Sequence, residues 1–233
     1  MIRFFFNRAP NPLKIALYLE ETGLPYELVP VDTLKGEQHF PAFRAINPNG
    51  KVPAIDDNGV RVFDSTAILL YLAEKSGQLA GAPQEHGELL SWMMFIASGV
   101  GPFSGQAVHF KYMAPEKLPY AINRYVRETQ RHYEVLDAHL ENRPYIVGDS
   151  YSIADISAWG WLDKATFVLG EDALAPYPNL KRWFDSINSR PAVARAREMG
   201  KDIAFKAERD EAAMRALFPQ NYADNNANST TTA

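Results

Sequence analysis

The residues best suited to bind a ligand lie in the stretch Asn47–Asp56, which reads NPNGKVPAID. Its Asn-Pro and Asn-Gly pairs are typical of turns, and a short apolar run that contains Pro53 follows them. Because proline cannot donate a hydrogen bond to a sheet, we expect Pro53 at the entrance or the edge of a strand. The N–H and C=O of Val52 are then free to pair with an extended, peptide-like ligand.

A second group of polar residues, Asp64-Ser65-Thr66, begins eleven residues after Pro53. An apolar run follows, so Asp64 or Ser65 is predicted to cap the start of a helix. The free N–H groups at a helix start bind carboxylates. An exposed backbone edge beside such a helix start suits a small acidic peptide. Taken alone, however, an Asp-Ser pair is more often only a helix cap.

Together these motifs resemble the glutathione site of the glutathione transferases. The segments that carry the resemblance are NPNGKVPAI and FDSTAILLYLAEK, and the likeness covers roughly residues 1–200. It implies glutathione as cosubstrate, a cis peptide bond before Pro53, and a homodimer in which each first domain packs against the second domain of the partner subunit.

The resemblance also implies a role for each candidate binding residue. The Val52 backbone, exposed by Pro53, pairs with the cysteinyl residue of glutathione. Asp64 meets the ammonium of the γ-glutamyl end, and Ser65 meets its carboxylate. The candidates to bind the glycyl carboxylate are Lys51 and Gln38. A lysine at such a position is also compatible with simple exposure to solvent.

Catalysis with glutathione requires a thiolate, whereas a free thiol has a pKa of about 8.5. Most transferases supply a Tyr, Ser or Cys just after the first strand. Residues 4–12 of this chain read FFFNRAPNP and contain no hydroxyl or thiol. Asn11 is therefore the candidate catalytic residue, because a helix start favours an anion and an amide can donate a hydrogen bond to sulfur. By itself, an Asn here is more often a cap.

This pattern is similar to the Nu class of bacterial glutathione transferases. Members carry a Thr-Pro-Asn segment, a Gln in the following loop and a Pro-Tyr-Ala-x-x-Arg-Tyr segment in the second domain. The corresponding residues here are Ala9-Pro10-Asn11, Gln38 and Pro119–Tyr125. The likeness implies that Arg124 reaches the carboxylate of a second glutathione, from the second domain or from a dimer partner. A solvated charged helix face is the alternative for Arg124.

The class resemblance implies a glutathione-dependent disulfide-bond oxidoreductase that uses the thiolate of bound glutathione and no protein cysteine. Two alternatives stay open. The first is a transferase that conjugates glutathione to small electrophiles. The second is a non-catalytic glutathione-binding protein, since Ala9 replaces the Thr of the class and removes one hydroxyl donor.

Bulk composition narrows the other possibilities. The chain has 233 residues, a formal net charge of −4 and no cysteine. Without cysteine there is no disulfide, no thiolate metal site and no cysteine nucleophile. No basic stripe is present, so we do not expect a nucleic-acid partner. The apolar run near the N-terminus is too short for a signal peptide, and no segment is apolar enough to span a membrane. We therefore expect a cytoplasmic protein.

The hydrophobic pattern of residues 1–77 predicts a thioredoxin-like α/β domain with the order βαβαββα. Its strands are expected at Ile2–Phe6, Tyr26–Val31, Val52–Asp56 and Val60–Phe63. The first two should be parallel, because a helix connects them. Asn11 is predicted to cap the first helix, with Pro12 as the first helical residue. The last two strands should form a hairpin across Asp57-Asn58-Gly59.

Residues 78–84 are predicted to be a linker, and residues 85–200 an all-α helical domain. We expect a kink near Gly99–Gly105, where glycines interrupt an apolar helix. Ser152 and Asp155 fit a capping box, which gives Asp155 a structural role. Residues 201–233 are predicted to be an extension, with a last surface helix that ends at Leu217 and a disordered tail from Asn221.

Overall fold

The computed structural model describes residues 1–222 of the chain. The first domain is a four-stranded sheet with three helices. Its strands are β1 (Ile2–Phe6), β2 (Tyr26–Pro30), β3 (Ala54–Asp57) and β4 (Val60–Phe63), and its helices are α1 (Pro10–Thr22), α2 (Pro41–Arg44) and α3 (Ser65–Ser76). The sheet order is β2-β1-β3-β4. Strands β1 and β2 are parallel, and the other two pairs are antiparallel. The predicted thioredoxin-like class is confirmed.

The last hairpin is tighter than the sequence suggested. Asp57 pairs with Val60 inside the sheet, so the turn contains only Asn58 and Gly59, with φ of 53° and 97°. Asn and Gly tolerate this left-handed backbone, which is why they occupy two-residue hairpin turns. At the other end, β3 begins at Ala54 rather than at Val52.

The prediction that Asn11 caps α1 is wrong. The helix begins at Pro10, and Ala9 is its N-cap residue, without a side-chain cap hydrogen bond. Pro10 and Pro12 both fit the first helical turn, where a missing N–H breaks no hydrogen bond of the helix. Asn11 is consequently the second helical residue.

The second domain is helical. Its helices are α4 (His86–Phe95), α5 (Gly101–Val108), α6 (Pro119–His139), α7 (Ile153–Leu162), α8 (Ala165–Leu169), α9 (Pro178–Asn188) and α10 (Pro191–Glu198). A π-helical segment, Ile96–Val100, joins α4 to α5. This is the predicted interruption, and it occurs where a Cβ on Gly99 would collide with the ring of His132. None of the helices in residues 1–222 is long and apolar enough to cross a membrane.

The two domains share one hydrophobic core. Its buried members run from Phe4 and Ile15 in the first domain to Trp159 and Trp183 in the second. Helix α1 is the connecting element, because it packs against the sheet domain through α3 and against α7 and α10 of the helical domain. Residues near the start of α1 are therefore positioned by both domains.

The last described segment, residues 201–222, is called the C-terminal arm below. Its helix, α11 (Glu211–Leu217), is shorter than predicted and is preceded by an irregular stretch. It is also more than a surface helix, because Ala213 and Met214 are buried. Most of the tail predicted to be disordered, residues 223–233, lies outside the described residues.

Candidate active site

The loop before β3 presents an unpaired stretch of backbone. The Val52–Pro53 peptide bond is cis, as the family resemblance implied. Within residues 1–222, neither the N–H nor the C=O of Val52 makes a backbone hydrogen bond. Asn47 holds this loop in place, because its Nδ2 donates to the Lys51 carbonyl and its Oδ1 accepts the Asn49 N–H at 2.9 Å. The Val52 backbone is thus preorganised as a strand edge.

Helix α3 begins beside this edge, with Asp64 as its N-cap. One carboxylate oxygen of Asp64 accepts the N–H groups of Thr66 and Ala67, at 2.8 and 3.3 Å. Asp64 has a φ of 73°, in the left-handed region. Its other oxygen has no hydrogen-bond donor within the described part of the chain. The predicted cap is confirmed, and one carboxylate oxygen remains able to accept from a ligand.

Lys14 lies beneath Ser65, and sequence reasoning missed it. Only 2% of this lysine is exposed, and its ammonium donates to the Ser65 hydroxyl at 3.5 Å. Burial lowers the pKa of Lys14 to about 8, against the opposing charge of Asp64. Gly160 of α7 makes room for the lysine, since a Cβ there would collide with its side chain. The sequence does contain a signal for this buried lysine, because Lys14 interrupts the otherwise apolar run Leu13–Leu19.

The start of α1 has few backbone N–H groups that could donate to a ligand. A helix leaves its first N–H groups without partners inside the helix. Here Pro10 and Pro12 have no N–H, and the Leu13 N–H donates to the Ala9 carbonyl at 3.2 Å. Within residues 1–222, the N–H of Asn11 is therefore the one unpaired backbone donor among the first four helical residues. A negative ligand atom at this helix end would be met by Asn11.

Trp161 of α7 orients the Asn11 side chain. Its indole N–H donates to Asn11 Oδ1 at 3.1 Å, which leaves the Asn11 Nδ2 group as a second donor. Gly101 and Gly105 of α5 make space for the indole, because a Cβ on Gly101 would lie 3.0 Å from the Trp161 Nε1 atom. This contact between domains, 150 residues apart in sequence, carries no local sequence signal.

A cavity of about 590 Å³ opens beside the start of α1. Its walls come from the first domain, the helical domain and the C-terminal arm, and include Ala9, Pro10, Lys51, Trp161 and Phe218. Asn11 is not among the described residues that line the cavity, but its side chain accepts a hydrogen bond from Trp161, which does line it. Lys51 is exposed at the cavity. The first domain contributes mainly backbone groups to the site. The helical domain and the C-terminal arm contribute side chains that line the cavity.

Among the described residues that line this cavity, Lys51 is the only sequence-predicted site residue. The other predicted site residues, which do not line it, are Asn11, Gln38, Val52, Pro53, Asp64, Ser65 and Arg124. Gln38 is only 3% exposed, and its Nε2 lies 3.0 Å from the Ala216 carbonyl and 3.2 Å from the ring of His39. Its amide nitrogen thus contacts both the C-terminal arm and His39, and its role toward the glycyl carboxylate stays a prediction. Arg124 points to solvent and pairs with Glu128 at 3.0 Å.

Comparison with known proteins identifies the family. The model of the glutathione S-transferase N-terminal domain matches residues 2–74, and that of the glutathione S-transferase C-terminal domain matches residues 101–191. The chain therefore belongs to the glutathione S-transferase family, as the two binding motifs had indicated.

Individual relatives make the family position more specific. The chain is 46% identical over 204 residues to the disulfide-bond oxidoreductase YfcG of Escherichia coli (strain K12), an alignment that covers 84% of this chain and 94% of the relative. A glutathione transferase from Burkholderia graminis, solved with two glutathione molecules bound per subunit, is 36% identical, with a TM-score of 0.80 and coverage of 86% and 88%. URE2P8 from Phanerochaete chrysosporium, solved with oxidised glutathione, is 33% identical, with a TM-score of 0.82 and coverage of 86% and 95%.

Proposed function

We propose that this protein is a glutathione-dependent disulfide-bond oxidoreductase. The observation that carries the proposal is the start of α1. There Asn11, alone among the first four helical residues in the described part of the chain, offers an unpaired backbone N–H together with a side-chain amide donor. No cysteine is present in the chain, so the reacting thiol must come from the substrate. The names of the relatives, a disulfide-bond oxidoreductase and transferases that bind glutathione, support the same reaction.

The reaction has two thiol–disulfide exchange steps. The thiolate of one glutathione attacks a sulfur of the disulfide, a new S–S bond forms, and the old S–S bond breaks to release one thiolate. A second glutathione thiolate then attacks the glutathione sulfur of the mixed disulfide and releases the other thiolate. The products are oxidised glutathione and two reduced thiols. The protein supplies binding, orientation and stabilisation of thiolate charge at Asn11.

The first domain contains the groups that would hold glutathione. The Val52 backbone, before Pro53, would pair with the cysteinyl residue as a strand does. The free oxygen of Asp64 would accept from the γ-glutamyl ammonium. Ser65, at the N-terminus of α3, would donate to the γ-glutamyl carboxylate. Lys51 and Gln38 are the candidates for the glycyl carboxylate, and Lys51 is the one that is exposed at the cavity.

Arg124 fits the site only as part of an assembly. Because it is not part of the cavity wall of its own subunit, we propose that it acts across a homodimer, on a second glutathione. Exposed apolar side chains on β4 and α4, Val60, Phe63, Leu90 and Met94, support such a dimer. The Nu-class pattern of Ala9-Pro10-Asn11 and a cytoplasmic location, where reduced glutathione is plentiful, belong to the same proposal.

The test compares glutathione-dependent reduction of bis-hydroxyethyl disulfide with conjugation of chlorodinitrobenzene. We expect the disulfide to be the better substrate. Asn11→Ala should lower kcat/KM for the disulfide about 10-fold, because it removes the amide donor but keeps the backbone N–H. Glutathione affinity should change less than about threefold, since the lost contact serves the thiolate. Asn123→Ala, on the exposed face of α6, is the matched control.

Two other outcomes would replace the proposal. Faster turnover of chlorodinitrobenzene than of the disulfide would make the protein a conjugating transferase. Tight glutathione binding without turnover of either substrate would make it a binding protein. An Asn11→Ala variant with unchanged kcat/KM would remove Asn11 from the mechanism while leaving the reaction in place.

A further inference from the structure

The C-terminal arm forms part of the cavity wall. Arg209, Phe218, Gln220 and Asn221 all line the cavity, and they lie beyond the segment that the family model matches, which ends at residue 191. Ala9 and Pro10, at the start of α1, line the same cavity. The arm therefore contributes to the side of the site where the second reactant must enter.

The arm is held in place by contacts with both domains. The Lys206 N–H donates to Asp32 Oδ2 at 2.8 Å, and the Ala216 carbonyl accepts from Gln38 Nε2 at 3.0 Å. Phe218 packs edge-on against His109 of the helical domain, with ring centroids 4.8 Å apart. These contacts determine the position of the arm backbone on either side of Arg209.

The described residues that line the cavity make a basic wall and include no carboxylate. Its four cationic residues are Arg8, Lys51, Lys164 and Arg209. The charge of Lys164 is matched by Asp163, whose carboxylate lies 2.7 Å from the lysine nitrogen. Burial lowers the pKa of His109, so this wall residue is neutral at neutral pH. The wall as a whole therefore favours a negatively charged occupant.

The remaining cations serve different parts of the site. Arg8 donates to the Arg197 carbonyl at 3.2 Å, and Lys51 lies beside the Val52 edge, where we place glutathione. Arg209 has no carboxylate partner within residues 1–222. Its guanidinium lies over the ring of Phe167, 5.6 Å from the centroid. Of the four cationic residues in the described cavity wall, Arg209 is the one that belongs to the C-terminal arm.

We propose that Arg209 is a specificity-determining residue that selects disulfides bearing carboxylate groups. This inference rests on the proposed disulfide reduction, and it assigns the substrate class. The carboxylate of the incoming disulfide pairs with Arg209, and its carbon chain packs on the apolar wall of Phe167 and Phe218. The disulfide sulfur is then presented toward the start of α1, where the glutathione thiolate attacks it and the S–S bond breaks as described above.

The test uses three small disulfides that differ mainly in charge: dithiodipropionate, bis-hydroxyethyl disulfide and cystamine. The wild-type protein should show the highest kcat/KM for the dianion and the lowest for the dication. Arg209→Gln should lower kcat/KM for dithiodipropionate about 3- to 10-fold, as expected for one partly exposed charge pair. It should change the value for the neutral disulfide less than about twofold. Arg209→Glu should reverse the order of the two charged substrates.

Two further variants separate charge recognition from support of the arm. Arg209→Lys should keep the wild-type order, because it keeps the charge. Arg215→Gln, on the same arm, is the matched control; Arg215 pairs with Glu211 at 2.9 Å and does not line the cavity. If Arg209 only stabilised the arm, Arg209→Gln would lower kcat/KM equally for all three disulfides, and that result overturns the proposal.

The two proposals fail in different ways. If the wild-type protein reduces all three disulfides with the same kcat/KM, charge selection is wrong and the disulfide-reductase function stands. If it reduces none of them, both the function and the assigned substrate class are wrong. A preference for the dianion that Arg209→Gln leaves intact overturns the role of Arg209.

Discussion

Lys14 and Asp155 are ionisable side chains that are almost completely buried, one in each domain, but their surroundings differ. Asp155 is 0% exposed, and it accepts hydrogen bonds from the N–H groups of Ile146 and Ser152 and from the Trp183 indole, at 3.0, 2.9 and 2.8 Å. Lys14 is 2% exposed and has one hydrogen bond, of 3.5 Å, to Ser65.

The difference shows how a fold can tolerate a buried charge in two ways. Asp155 joins the cap of α7 to the loop before it and to α9, so its hydrogen bonds stabilise the helical domain. Lys14 is poorly compensated, which burial in a low-dielectric core makes costly. Its position under Ser65 places that cost beside the proposed γ-glutamyl subsite. Asp155 therefore serves the fold, whereas Lys14 lies beside the proposed glutathione site.

The largest effect on stability should come from Asp155→Ala. The change leaves three buried N–H donors without an acceptor, and it should lower the free energy of unfolding by about 2–4 kcal/mol. Urea denaturation at pH 7 measures this, with Asp149→Ala on the exposed surface nearby as the control. A loss below about 0.5 kcal/mol would show that the buried network contributes little net stability.

Lys14→Met, in contrast, should stabilise the folded protein. Removing a poorly compensated buried ammonium should raise the free energy of unfolding by about 1–3 kcal/mol at pH 7. Glutathione should bind about 3- to 10-fold more weakly, because a positive charge near the γ-glutamyl carboxylate is lost. Urea denaturation and calorimetric titration test the two parts. Lys181→Met, at an exposed surface pair, should change neither value. A destabilised Lys14→Met variant would contradict the assignment of Lys14 to the site.

The smallest effects should appear as opposite dependences of stability on pH. The pKa of Lys14 is lowered from 10.5 to about 8 in the folded protein, so between these values the unfolded chain binds more protons. Stability should therefore rise from pH 8 to 10, by at most about 1.4 kcal/mol per pH unit. The difference between the pH profiles of unfolding free energy for the wild-type protein and for Lys14→Met measures the contribution of Lys14.

Asp155 should show the reverse slope at acidic pH. Burial raises its pKa from 3.8 to about 6, so between these values the folded protein binds more protons. The Asp155 contribution to stability should then fall as the pH rises from 4 to 6. Asp155→Asn removes the titration, and the difference between its profile and that of the wild-type protein measures the term. A flat difference for either residue would show that its burial is compensated better than its contacts indicate.

Local patterns predicted most of the fold. The βαβαββα order, the helix capped by Asp64, the capping box of Ser152 and the interruption near Gly99 all follow from turn residues, capping residues and hydrophobic periodicity within a few positions. The errors were also local. Asn11 was expected to be the cap of α1, but two prolines in one turn allow the helix to start at Pro10. The last helix was expected over a longer stretch than Glu211–Leu217, because charged residues alone do not indicate where a short helix begins.

The predicted site residues belong mainly to the first domain. The roles proposed for Val52, Asp64 and Ser65 depend on backbone groups and helix caps, which adjacent residues encode. Trp161 and Arg209 come from distant parts of the chain, and no spacing in the sequence relates them to Asn11. Gln38 was predicted to bind the ligand from its likeness to the Gln of the Nu class, whereas the burial of its amide under the C-terminal arm depends on a contact 178 residues away.

The sequence by itself determined the family, the thioredoxin-like and helical domains, the absence of a protein thiol, and the backbone groups available for a peptide-like ligand. Each of these depends on residue type or on neighbours along the chain. Only the tertiary structure decided that Lys14 lies buried under Ser65, that Trp161 orients Asn11, and that the C-terminal arm brings Arg209 to the cavity. Those features depend on helix packing between domains, where long-range burial and charge pairing, rather than local propensity, select the arrangement.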